Sequence, residues 1–185
     1  MKTLLVYGTR YGATAGTSEE IAKVLSAEKF DVKVVNVKEE KISDISPYEL
    51  IIVGTGIQMA RWVGEVEDFL KKHQKELAQK KVALFVSTMK TVSEREGKLE
   101  DLAKAKKLEL DDKLGKYDFN FLRIGFFGGV MNFNKMNIIT RKAFGSMRTR
   151  LEKDGFKESP PGVYELRDWE EIRGWAKELA NSEKQ

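Results

Sequence analysis

The 185-residue sequence has no cysteine and a single histidine, His73. Without thiols there are no disulfides, thiolate metal sites, iron–sulfur clusters or cysteine nucleophiles. One imidazole argues against a histidine-built metal centre and against a Ser-His-Asp arrangement. Proline is scarce, at 3 residues, and apolar residues make up 41%. That balance points to a compact folded chain rather than a disordered one. No apolar run reaches spanning length and no charged-then-apolar leader is visible, so a soluble, cytoplasmic protein is expected. With most side-chain chemistry removed, a bound cofactor is the natural source of reactivity.

The length suits one domain over residues 1–185. Charged residues are 34% of the chain, with a net charge of +4. This modest basic balance favours anionic small molecules, lipid headgroups or acidic proteins as partners. Nucleic acid is not among the partners expected.

Apolar runs alternate with helical patterns. Strand-like runs cover residues 4–7, 32–37, 50–53, 82–87 and 119–127. Several are continuous rather than alternating, as expected of parallel strands covered on both faces. Helical periodicity predicts helices over residues 18–28, 63–79 and 93–110. A later stripe of Met136, Ile139, Ala143, Phe144, Met147 and Leu151 predicts another over residues 134–153. Asp168, with Glu171 three residues on, forms a capping box for a last helix anchored by Trp169 and Trp175. Strands separated by helices predict right-handed crossovers and a doubly wound α/β sheet with helices on both faces.

Ligands of such sheets collect beyond the carboxyl ends of the strands. The first of those loops, Thr9-Arg-Tyr-Gly-Ala-Thr14, joins an apolar strand to a helix through glycines and hydroxyls. Backbone amides and a helix dipole there form an anion site. The others are Gly54-Thr-Gly-Ile-Gln-Met-Ala-Arg-Trp62, Ser87-Thr-Met-Lys-Thr91 and Gly128-Gly-Val-Met-Asn-Phe133. A phosphate and a flat ring with hydrogen-bonding edges suit these loops, with Met59, Trp62 or Met89 against the ring face. For Trp62 an equal alternative is a place in the core. The loop is not a P-loop, because no Gly-Lys-Ser/Thr follows the second glycine, and glycines at 8, 12 and 16 do not spell Gly-x-Gly-x-x-Gly. Gly8-Thr-Arg10 lacks the acidic residues a magnesium-binding receiver domain needs. Flavin mononucleotide (FMN), with one terminal phosphate, fits a hydroxyl-rich loop without an obligatory lysine.

Thr9-Arg-Tyr-Gly-Ala-Thr14 resembles the phosphate loop of flavodoxins. Over nearly the whole chain the closest resemblance is to the flavodoxin-domain group that contains menaquinone-dependent protoporphyrinogen dehydrogenases. It is carried by the Gly54-Thr-Gly-Ile-Gln58 loop, by Phe126-Phe-Gly-Gly129 and by Asp168-Trp-Glu-Glu-Ile172. The resemblance implies a five-stranded sheet of order 2-1-3-4-5, bound FMN and redox function. The reaction it implies is protoporphyrinogen oxidation with a quinone acceptor. Electron transfer with a redox partner protein is a second reading, and a non-redox interaction module is an alternative from another class. The cofactor residues implied are Thr9, Arg10, Tyr11, Gly12, Ala13, Thr14, Thr55, Gly56, Ile57, Gln58, Met59, Trp62, Ser87, Thr88, Met89, Gly128 and Gly129. No catalytic side chain stands out, and no metal is implied.

Two features depart from common flavodoxins. Ala15-Gly-Thr17 separates the loop from the predicted helix, where Thr17 and Glu20 form a capping box of their own. Phosphate is therefore expected over the amides of Arg10 to Ala13, with the Thr9 and Thr14 hydroxyls assisting and Arg10 adding charge. The chain is also basic where shuttle flavodoxins are acidic. Arg141, Lys142, Arg148, Arg150 and Lys153 give the late helix a basic side, expected to be solvated or to meet an anionic membrane. His73, among lysines, is expected on a solvated helix end. A homodimer is also expected, with no face assigned to it.

Overall fold

Three apolar runs form the centre of the sheet because both of their faces are covered. In the computed structural model, which describes residues 1–183, they are β1 (Lys2–Gly8), β3 (Leu50–Gly56) and β4 (Lys81–Thr88). Edge strands β2 (Asp31–Asn36) and β5 (Phe121–Gly128) complete a parallel sheet of order β2-β1-β3-β4-β5. This is the order the resemblance implied.

One face packs against α1 (Ala13–Ala27) and α9 (Trp169–Ser182), through Leu5, Ile52 and Phe85 against Ile21, Leu25, Trp175 and Leu179. Phe85, Phe127 and Trp175 form an aromatic triad on this side, with centroids 5.8 to 6.3 Å apart. Phe85 lies across Gly54: a methyl group there would stand 2.3 Å from Phe85 Cζ. The other face packs against α2 (Gly64–Lys72), with Leu4, Val6, Val53 and Val86 against Val66 and Leu70.

Helix boundaries depart from the periodicity in four places. α1 starts at Ala13 rather than at Ser18, so the expected Thr17–Glu20 capping box does not form. Thr17 and Ser18 lie inside the helix and donate their hydroxyls to the carbonyls of Ala13 and Thr14, while Glu20 pairs with Arg173 of α9. The predicted 63–79 helix parts at His73 into α2 and α3 (Gln74–Leu77). His73 is buried rather than solvated, its ring 4.9 Å from that of Phe69 and its Nε2 3.3 Å from the Ile42 carbonyl. The predicted 93–110 helix breaks at Gly97, whose φ is +68°, into α4 (Val92–Arg95) and α5 (Leu99–Lys106). A π-helical turn (Lys107–Asp111) and α6 (Asp112–Leu114) follow.

The fourth departure is the largest. Between β6 (Val130–Asn132) and β7 (Val163–Glu165), which pair antiparallel, the chain makes a 3₁₀ turn (Phe133–Lys135), α7 (Ile138–Ala143) and α8 (Gly145–Lys153). The single stripe expected over 134–153 is interrupted at Phe144. Leu151 is buried with Met131, Phe133, Phe156 and Tyr164, and Met136, Phe144 and Met147 are partly covered. Ile138 and Ile139 are instead 85% and 83% exposed. At the last helix, Asp168 is the expected N-cap and accepts from the amides of Glu170 and Glu171. Among the described residues no helix is long and apolar enough to cross a membrane.

Candidate functional site

A cleft of about 740 Å³ opens at the carboxyl edge of the sheet, where the loops after β1, β3, β4 and β5 meet. The loop after β1 is organised by its own side chains and glycine. Thr9 Oγ1 accepts from the Gly12 amide at 2.9 Å. Gly12 takes a left-handed conformation (φ +98°) as N-cap of α1 and offers no capping side chain. The first turn of α1 also carries no acidic residue. Its amides and the positive end of its dipole therefore meet no internal anion.

The loop after β3 turns back sharply through Met59 and Ala60, both at positive φ (51° and 56°) and closed by reciprocal Gln58–Arg61 backbone hydrogen bonds of 3.1 and 3.0 Å. Left-handed non-glycine residues are uncommon and strained, and they concentrate at functional sites. The turn leaves Met59 at the cleft with most of its surface in solvent. Two cross-links hold it in place: the Ile57 amide donates to the Ser87 carbonyl at 3.0 Å, and Gln58 Nε2 donates to the Tyr11 hydroxyl at 3.1 Å. The first three loops thus form one connected rim.

At the end of β4 the Thr88 hydroxyl donates to Glu109 Oε2 at 2.7 Å. Glu109 stands in the π-helical turn and is 3% exposed. Burial raises its carboxyl pKa above the usual range, with Thr88 and Lys90 opposing that rise. Its neighbour Ser87 is 5% exposed, and its Oγ has no hydrogen-bond partner among the described residues. An unpaired buried hydroxyl at the wall of a cleft is a place for a ligand's polar edge.

Thr9, Arg10, Tyr11, Ala13, Thr14, Gly56, Ile57, Gln58, Met59, Ser87, Thr88, Met89 and Gly129 are brought together around this one cleft. Four other expected residues are not among its lining. Trp62 is 1% exposed in the core, and its Nε1 donates to the Glu109 carbonyl at 2.7 Å. Thr55 is buried behind the loop, its Oγ1 accepting from the Val63 amide at 3.1 Å. Gly128 serves packing, because a methyl group there would stand 1.9 Å from the Leu166 carbonyl oxygen. Gly12 shapes the first loop from behind through its backbone.

Most of the far wall was not anticipated. It comes from Val92 of α4, Ala105 of α5 and Leu108 of the π-helical turn on one side, and from Met131 of β6 with Met136, Phe144 and Met147 beyond it on the other. Met131 belongs to the loop expected beyond the fifth strand, whereas Met136 and Met147 were visible only as a helical stripe, which gives no hint that they face a cavity. Arg150 and Glu96 clasp these two walls together through a bidentate pair, and the guanidinium holds the Glu96 carboxyl down at about 2. Arg148 pairs with Glu158 at 2.6 Å, and Arg141 Nε donates to the Phe133 carbonyl at 3.0 Å. The basic side of the late helices is therefore partly engaged by the protein itself.

A family model described as the flavodoxin domain matches residues 4–157. Oxidised flavodoxin 2 from Bacillus cereus superposes with a TM-score of 0.57 at 18% identity, covering 100% of both chains. A Fusobacterium nucleatum flavodoxin bound to flavin mononucleotide gives 0.51 at 15% identity, covering 98% of each. The rubredoxin oxygen:oxidoreductase of Desulfovibrio gigas gives 0.56 at 16% identity. There the match covers 99% of this chain and 36% of the other, so the chain spans about a third of that protein. At these identities the likenesses establish the fold.

Proposed function

This chain belongs to the flavodoxin domain family, and on that premise we propose that it binds FMN and acts in electron transfer. The observation that carries the reading is the junction of a carboxylate-free helix N-terminus with the unpaired Ser87 hydroxyl in a single cleft. One end suits a phosphate and the other a hydrogen-bonding ring. The residues present fit the cofactor. The amides of Arg10, Tyr11 and Ala13 and the hydroxyls of Thr9 and Thr14 would hold the phosphate. The Gly12 amide is already donated to Thr9 Oγ1, and because that oxygen is the acceptor, Thr9 keeps its proton for donation. Ser87, with main-chain groups of Ile57, Gln58 and Met89, would read the ring edge. Met59 and Met89 supply apolar, polarisable surface. Gly129 leaves room on that side, since a methyl group there would stand 3.4 Å from the Thr88 carbonyl oxygen.

Bound FMN supplies the electron-accepting chemistry, and the protein supplies binding, orientation and electrostatics. At the floor of the cleft Glu109, whose carboxyl pKa burial raises, accepts from the Thr88 hydroxyl. The apolar far wall favours a second reading, an oxidoreductase acting on a flat apolar molecule such as a quinone or a porphyrinogen. Exposed Ile138 and Ile139 favour a partner surface or an anionic membrane near the cleft mouth.

The test is direct. Purified protein should carry flavin absorption, or acquire it on titration with FMN. A colourless protein that keeps its circular dichroism and takes up no FMN overturns the proposal and leaves the non-redox module. Turnover of reduced protein against quinones, oxygen and protoporphyrinogen separates enzyme from carrier. Salt-sensitive binding to anionic vesicles tests the membrane contact.

A further inference from the structure

We propose that Lys135 is the counter-ion of the ligand's phosphate, and that phosphate capture clamps the unit between β6 and β7 onto the sheet. The proposal rests on the FMN reading above and adds to it a residue from outside the phosphate loop.

Lys135 is distant in sequence from that loop, yet its Nζ donates to the Tyr11 carbonyl at 3.3 Å. The same ammonium stands 3.6 Å from where a methyl group on Gly12 would be. Its backbone is well fixed. Asn132 Oδ1 accepts from the amides of Asn134 (3.0 Å) and Lys135 (3.3 Å), and the Phe133 amide donates to the Gly162 carbonyl at 2.8 Å. Phe133 is buried beneath the turn, and the Arg148 guanidinium lies 5.3 Å from its ring centroid. The lysine stem therefore projects from a rigid turn across to the N-cap of α1.

Electrostatics make this placement informative. A cation beside a helix N-terminus meets partial positive charge, an unfavourable arrangement unless an anion lies between them. The first turn of α1 offers no acidic residue, and among the described residues no carboxylate pairs with Lys135. Residues 119–151 contain no Asp or Glu at all. The anion that reconciles ammonium and helix must come from outside the chain. An ammonium has three donors, and the Tyr11 carbonyl occupies one.

Arg167 shows the contrast. It also reaches the first turn of α1, its Nη1 donating to the Ala13 carbonyl at 3.2 Å. Glu165 neutralises it through contacts of 2.8 and 2.5 Å, and its guanidinium stacks 4.2 Å over Trp169. Arg167 is a brace. Lys135 keeps its charge for a ligand.

The test uses the apo form of the full chain, titrated with FMN and with riboflavin, the same ring without the phosphate. Lys135→Met keeps the alkyl stem and removes the charge. It is expected to weaken FMN binding about 10- to 100-fold, to leave riboflavin binding unchanged, and to flatten the salt dependence of FMN affinity. Lys135→Arg is expected to recover most of the loss. In hydrogen exchange, saturating FMN should slow residues 138–153 of the wild type and riboflavin should not. Lys135→Met saturated with FMN should lose that protection. Wild-type FMN affinity in the methionine variant, or an equal loss for both flavins, overturns the role of Lys135. Failure of the wild type to bind FMN is a separate result, which overturns the cofactor reading and the counter-ion with it.

Discussion

The Thr88 hydroxyl donates to the Glu109 carboxylate at 2.7 Å beneath the cleft floor, joining the end of β4 to a π-helical turn. A π-helical turn is a local departure from α geometry that recurs at functional sites. Here it presents a buried acid to a cleft where charge is expected to change.

Glu109 should make stability fall with rising pH. Its folded pKa is raised from 4.5 by burial, so the native state holds this proton more tightly than the unfolded chain. The associated stabilisation is complete below about pH 4.5 and is lost as pH rises through the folded pKa. Glu109→Gln keeps an acceptor for Thr88 and removes the titration. Thermal unfolding across pH should show the variant gaining on the wild type as pH rises; a constant difference at all pH values sinks the assignment. Glu109→Ala leaves the Thr88 hydroxyl proton without its acceptor, although the oxygen still accepts from the Lys90 amide at 3.2 Å, and should cost about 1–3 kcal/mol.

Thr9→Ala with Thr14→Ala should weaken FMN binding more than riboflavin binding. Loss of one hydroxyl hydrogen bond costs about 1 kcal/mol, roughly fivefold in affinity. Thr9 has a second task, because its oxygen holds the Gly12 amide. Gly56→Ala is a sharper probe of space: its methyl would stand 3.1 Å from Thr14 Oγ1 and should displace the hydroxyl. Unchanged FMN affinity in both variants would show that the clamp lies elsewhere.

The sheet was legible in the sequence because its strands, such as Leu50 to Val53, are buried on both faces and read as unbroken apolar runs. That the loop after β1 would reach the cleft was legible for a related reason: glycines and hydroxyls between a strand and a helix are the pattern of a backbone anion site. Periodicity failed where the polypeptide bends: at His73 without a conspicuous breaker, and at Phe144, where Gly145 interrupts a stripe that otherwise reads as continuous. Trp62 was ambiguous by nature, since an indole suits a ring stack and a core equally well. Lys135 and Glu109 were invisible because their significance comes from contacts with Tyr11 and Thr88, and neither belongs to a local pattern.

Separating Arg150 from Glu96 should loosen the far wall. The pair joins α8 to the α4–α5 connection, and Lys98 also reaches Glu96 at 3.1 Å. The Arg150 side chain is 39% exposed, so solvent screening limits the pair to about 1 kcal/mol or less of global stability. Its local effect is the better readout: Arg150→Met should speed hydrogen exchange in residues 145–153 and leave β1 and β3 unaffected. Since Glu96 is held at about 2 against a usual 4.5, its contribution is present above pH 4.5. It fades as pH falls toward 2. Acidification through that window should reproduce the variant's exchange pattern in the wild type.

Trp62→Phe should separate a structural role from a cofactor role. The indole is buried, and its Nε1 hydrogen bonds to the Glu109 carbonyl at 2.7 Å. That bond braces the π-helical turn, where a backbone carbonyl falls outside ordinary α-helical pairing. Phenylalanine fills most of the volume but removes the donor to a buried carbonyl, at a cost of about 1 kcal/mol. Denaturant unfolding should register that loss, while the FMN dissociation constant changes by less than about twofold. Acting through the turn, the substitution should also alter the pH dependence that Glu109 produces, because the carboxylate and the braced carbonyl belong to the same residue. A large fall in FMN affinity with stability unchanged would instead place the indole against the flavin.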